Sequence, residues 1–71
     1  MNFIKINDVR IGAEVCVQEP TEHFSHTCFI FHGFEGDFAK MEMANNDAED
    51  GQIIDFPVAL LNQSRVWRVK R

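Results

Sequence analysis

The sequence predicts an all-β domain of five or six antiparallel strands with one short helical turn near residues 57–61. Three observations predict it. Short apolar runs with period-two spacing recur roughly every ten residues, each closed by Gly, Pro, Asn or Asp. The stretch Cys28-Phe29-Ile30-Phe31-His32-Gly33-Phe34 reads as one long strand that is apolar on both faces. The only helix-period candidate of any length, residues 40–50, carries two Asn and ends at Gly51, which fits a hairpin and loop better.

Each element follows from local chemistry. Phe3-Ile4-Lys5-Ile6 is a short first strand or arm, closed by the turn signal Asn7-Asp8. Gly12 supplies a positive-φ turn before a strand in which Val15 and Val17 share a face. Pro20 lacks an N–H and ends that strand, opening a polar loop to Ser25. The apolar strand runs from about His26 to Phe34, and Glu35-Gly36-Asp37 turns the chain back. The return strand sets Ala39, Met41 and Met43 against Phe38, Lys40 and Glu42. An acidic loop over 45–51 precedes a short strand, Gln52-Ile53-Ile54-Asp55-Phe56. Pro57 then takes the favoured first position of a helical turn. Residues 65–70 form the last strand. The predicted core is Val15, Val17, Ile30, Phe34, Met41, Met43, Ile53, Leu60, Val66 and Trp67.

The two-faced strand carries the main expectation about assembly. A strand in a small domain normally alternates, with one face on the core and the other on water. An apolar outer face implies either a bent strand shared by both halves of a small barrel or a covering subunit. The chain of 71 residues is one domain, 1–71. A domain of this size buries only about 60% of its unfolded surface, so a partner subunit is a common supplement. A homo-oligomer, dimer or tetramer, is expected, with Phe29, Phe31, Phe38 and Phe56 at its interface.

The charge is uneven. Residues 1–64 carry eleven acids against three bases, a balance of −8, and residues 65–71 carry four bases and no acid. An acidic body disfavours generic binding to nucleic acid or anionic membranes, both of which are polyanionic. With no secretory h-region and no run long enough to span a bilayer, the expected location is the cytoplasm, where the two cysteines are reduced.

The order of pieces resembles the SH3-like small barrel. The motifs that carry the resemblance are Ile11-Gly12-Ala13-Glu14-Val15, Gly33-Phe34-Glu35-Gly36-Asp37-Phe38 and Phe56-Pro57-Val58-Ala59-Leu60-Leu61. It spans nearly the whole chain and specifies architecture, not activity. Within it, Phe56-Pro57-Val58-Ala59 is similar to the end of the type II dihydrofolate reductases, a family often encoded on mobile gene cassettes. That similarity implies a tetramer around a shared pore. Ile54 stands where the family has its pore glutamine, and Phe56 where it has a tyrosine. The resemblance therefore implies fold and assembly without that reaction.

Several residues have the chemistry of a site. His26, Cys28 and His32 share strand parity, with Cys16 on a neighbouring strand, and zinc accepts such ligands. Their spacing matches no standard zinc pattern, and the preferred reading takes the cysteines as small core residues, with no metal or other cofactor. A Cys16–Cys28 disulfide is geometrically possible but disfavoured by the compartment. Arg65, Trp67, Arg68, Lys70 and Arg71 place bases around an aromatic ring, an arrangement able to bind a nucleic-acid strand. The preferred reading of these charges is protection of an edge strand. No phosphate loop, nucleophile elbow or paired-carboxylate motif is present.

Together these readings predict a non-enzymatic binding or adaptor module that acts through an apolar surface. Its expected partner is a second copy or another protein. The alternatives are a pore-type oligomeric enzyme or small-ligand binder, and a nucleic-acid accessory protein using the basic C-terminal strand.

Overall fold

A computed structural model describes residues 2–44 and 51–69. A 3-10 turn (Ile6–Asp8) precedes β1 (Glu14–Gln18), β2 (Thr27–Glu35), β3 (Phe38–Met43), β4 (Ile53–Pro57), α1 (Val58–Gln63) and β5 (Arg65–Arg68). The strands form one antiparallel sheet in the order β4-β3-β2-β1-β5. Four strands meander, and the fifth crosses through α1 to pair with the first. This is the all-β order expected of an SH3-like barrel. The Cα radius of gyration, 11.2 Å, matches the value of about 11 Å for a single domain of this length.

Among the described residues five strands form, the lower of the two expected numbers. Residues 3–5 stay outside the ladder, linked to it where the Ile4 N–H donates to the Val66 carbonyl at 2.8 Å. Ile6 then turns inward and is buried. Pro57 is the cap residue of α1 and the last residue of β4, one position earlier than expected for the start of the helix. Its missing N–H suits a terminal strand of the sheet. Below it, Ser64 Oγ donates to the Leu60 carbonyl at 2.6 Å, and the Ser64 N–H to the Leu61 carbonyl, closing α1.

The long strand β2 bends instead of running straight. Phe29, Phe31 and Met41 pair in one register, and Phe34 with Ala39 in a register shifted by one residue. The extra residue is a β-bulge around His32 and Gly33, which kinks the strand and reverses its alternation. Gly33 permits this because its φ is +106°, a left-handed value that side-chain-bearing residues avoid. A Cβ at Gly33 would also come within 3.2 Å of Ile11 Cδ1.

The core lies against the face of β2 that carries Phe29 and Phe31, ahead of the bulge. Ile6, Val9, Val15, Val17, Phe29, Phe31, Ala39, Met41, Phe56, Leu61 and Val66 form one buried cluster. Of the predicted core, Val15, Val17, Met41 and Val66 lie in it. Met43 and Leu60 pack against it from partly buried positions. Ile30 is half-buried, while Phe34 and Ile53 are exposed. Trp67 is half-buried and directly opposite Cys16.

This corrects the expected interface. Phe29, Phe31 and Phe56 are 3%, 2% and 7% exposed, because one copy of the chain encloses all three. Their rings belong to the interior: Phe29 and Phe56 meet edge to face at 5.8 Å, as do Phe31 and Phe34 at 5.0 Å. Of the four residues assigned there, only Phe38, 44% exposed, stands on the surface. Phe29 and Phe31 fill the core face of β2, while Cys28 and Ile30 on its other face are half-buried.

Candidate binding groove and the cysteine–histidine cluster

The barrel is open at the end where the β1–β2 loop crosses. A groove of about 350 Å³ lies there. Its floor is apolar, built from Val17, Phe29, Met43, Ile54 and Phe56, and its rim carries Glu19, Glu22, Ser25 and His26. The floor exists because β1, β2, β3 and β4 each send a side chain to this end. Ser25 Oγ donates to Glu22 Oε2 at 2.9 Å and braces the loop that forms the rim. On the same loop, the Phe24 ring is fully exposed. Ile54 and Phe56 both line this floor. Neither supplies a hydrogen-bonding side chain to the groove.

A second group sits on the outer face of the sheet. Cys16 and Cys28 are directly opposed across β1 and β2 and form a disulfide, with sulfurs 2.05 Å apart. This corrects the expectation of two reduced thiols: the compartment argument outweighed a pairing that the strand register makes direct. Cys16 is nonetheless buried, as expected for a small apolar residue. Trp67 faces Cys16 from β5, with its ring 5.1 Å from that of His26 and 6.0 Å from that of Phe3. Both sulfurs and a ring nitrogen of His26 lie within 4.8 Å of one another.

The structure brings together only part of the histidine–cysteine set read from the sequence. His26 and Cys28 converge, and Cys16 completes the group. His32 lies four residues beyond Cys28, about 13 Å along an extended strand, too far to share an ion. Its Nε2 is instead 2.7 Å from Glu42 Oε1.

The basic C-terminal strand is partly engaged within the chain. The Arg65 guanidinium stacks over the Phe3 ring at 5.7 Å, and Arg68 donates to the Asp8 carbonyl at 3.3 Å. Trp67 packs between Phe3 and His26. Lys70, Arg71 and the acidic residues 45–50 lie outside the described residues.

The outer face of β3 and β4 is amphipathic. Phe38 pairs with Pro57, Lys40 with Asp55, and Glu42 with Ile53. The Lys40 ammonium lies 2.5 Å from Asp55 Oδ1 and 3.2 Å from Glu35 Oε2. Hydrogen bonding to Asp55, and then to Glu35, holds its pKa above the ordinary 10.5. This ion pair separates two exposed apolar residues, Phe38 and Ile53.

Sequence reasoning missed the groove, because it sent Phe29 and Phe56 outward. The signal that would have found it is Gly33, whose place inside an apolar run marks a bulge. No family model, no curated protein and no solved structure matches the chain. No helix among the described residues is long and apolar enough to cross a membrane.

Proposed function

We propose that the chain is a non-enzymatic binding module whose barrel-end groove receives an apolar side chain of a peptide segment that also carries a neighbouring Lys or Arg. The observation that carries this reading is the make-up of the groove: an apolar floor of Phe29, Met43, Ile54 and Phe56 beneath the carboxylates of Glu19 and Glu22. Such a groove buries a hydrophobic anchor and orients it with a few polar groups at the mouth. The acidic body adds long-range attraction for a basic partner. Phe24, exposed beside the rim, extends the apolar area that a peptide would cover.

The test is fluorescence anisotropy with two labelled peptide sets of equal apolar content, one lysine-rich and one glutamate-rich. The lysine-rich set is expected to bind and to weaken with added salt. Ile54→Lys, a half-buried floor position, is expected to abolish binding, and Glu22→Lys to weaken it, in proteins that still melt cooperatively. Equal binding of both sets, no binding of either, or binding unchanged by Ile54→Lys would overturn the reading.

Self-association is a second reading, and one observation favours it. Phe38 and Ile53 are exposed on the outer face of β3 and β4, with β4 at the end of the strand order. A dimer formed there would bury both side chains and shield the Lys40–Asp55 pair. In the cytoplasm, the compartment this reading assumes, the Cys16–Cys28 bridge meets a reducing thiol pool.

A further inference from the structure

We propose that the dithiol form of the Cys16–Cys28 pair, together with His26, is a binding site for a thiophilic metal ion, with Zn2+ the ion its donors fit best. The disulfide is then the closed state of that site. The inference rests on a different part of the molecule from the groove, and its test is independent of peptide binding.

The geometry is close to what zinc needs. Tetrahedral zinc with Zn–S of about 2.3 Å and Zn–N of about 2.0–2.1 Å sets its sulfurs about 3.8 Å apart and each nitrogen about 3.6 Å from a sulfur. The two sulfurs and the His26 nitrogen already lie within 4.8 Å of one another. Once the sulfur–sulfur bond is cut, the two sulfurs are free to move apart to that spacing. Rotation about the Cα–Cβ bonds supplies this movement, and the β1–β2 register is unchanged. His26 precedes β2 by one position, and its ring is carried by the loop rather than held in the ladder. A surface depression of about 340 Å³, lined by Glu14, His26, Thr27, Cys28 and Ala44, gives the ion an approach and leaves room for a water as fourth ligand.

The chemistry balances in two steps. A dithiol reductant gives two electrons and two protons to the Cys16–Cys28 bond, yielding two thiols and its own cyclic disulfide. Zn2+ then displaces the two thiol protons and takes the neutral nitrogen of His26. Oxidation by a small-molecule disulfide reverses the first step: two electrons leave the thiolates, the sulfur–sulfur bond re-forms, and the ion is released. Metal and disulfide exclude each other because zinc is held by anionic thiolates, and the two-electron oxidation that joins the sulfurs removes that negative charge.

The test uses the full chain, reduced with a dithiol, desalted without oxygen and titrated with Co2+. The expected result is a thiolate-to-cobalt charge-transfer band that saturates at one equivalent, with visible bands of tetrahedral intensity, both erased by Zn2+. The oxidised protein is expected to give neither band. His26→Ala, a change at an exposed position, is expected to weaken binding by on the order of tenfold or more, and His32→Ala to leave it unchanged. A reduced protein with no charge-transfer band would overturn the proposal. So would equal affinity in His26→Ala and the parent, or equal binding by the oxidised form, which needs no variant to fold.

Discussion

Trp67 lies directly across from Cys16 on adjacent strands, so the chain's one tryptophan looks onto its disulfide. The arrangement follows from register alone: Trp67, Cys16 and Cys28 occupy one row on the outer face of the sheet. A disulfide beside an indole quenches its emission. Reduction is therefore expected to raise tryptophan fluorescence while far-ultraviolet circular dichroism keeps its strand signal. Emission that does not change on reduction, with the thiols counted chemically, would contradict this placement.

The same bridge contributes stability. It closes a loop with a sequence separation of 12, and constraining a loop of that size is worth about 3 kcal/mol. A domain of this length has only about 4–11 kcal/mol in total. Chemical denaturation of the oxidised and reduced forms should therefore show a large downward shift in midpoint on reduction. A shift near zero would mean that the cross-link constrains nothing the ladder does not already constrain.

Gly33→Ala tests the bulge. The left-handed backbone alone is expected to cost about 1–3 kcal/mol, and the new methyl must also displace Ile11 Cδ1. Combining it with Ile11→Ala is expected to recover only the steric part, since the backbone strain remains. Full recovery in the double variant, read by urea denaturation, would mean that the conformation at residue 33 is not the constraint.

Two phenylalanines separate core from surface. Phe31→Ala is expected to cost about 3–5 kcal/mol and to leave the domain at the edge of unfolding. Phe38→Ser, at an exposed position, is expected to change stability by no more than about 0.5 kcal/mol. If copies associate through β3 and β4, Phe38→Ser should nonetheless lower the sedimentation coefficient at high concentration. A parent protein that sediments as a monomer throughout would end the self-association reading.

Lys40 gives a signed pH dependence. Its pKa is raised in the folded chain, so the stability it supplies is fully present below the unfolded value and is lost as pH rises through the folded value. The difference between the parent and Lys40→Met is expected to stay constant from neutral pH to about pH 10 and to shrink at higher pH. A difference that grows with alkalinity would have the wrong sign for this pairing.

Much of the fold was legible because turn chemistry is local. Pro20, Gly36 and Pro57 each fall at or beside a boundary between elements, and α1 forms where a proline precedes an apolar quartet. Which face of a strand points inward was less legible. Phe29 and Ile30 are both apolar, and periodicity cannot rank two apolar faces. The bulge after Phe31 then sends Phe34 to the side opposite the one that straight alternation assigns. At the outer cluster, local signals placed Cys28 and His26 on one side, but only the register showed that Cys16 meets them and that His32 does not. Such juxtapositions depend on how strands pair across the sheet, which no single segment encodes.

The bond from Ile4 to Val66 holds two stretches far apart in the chain side by side. A short tether across that junction, with a new opening at the Gly36 turn, would leave every rung of the β1–β2 and β1–β5 ladders intact. Circular permutants of that design should keep their architecture while reversing the order in which the two halves of the barrel leave the ribosome.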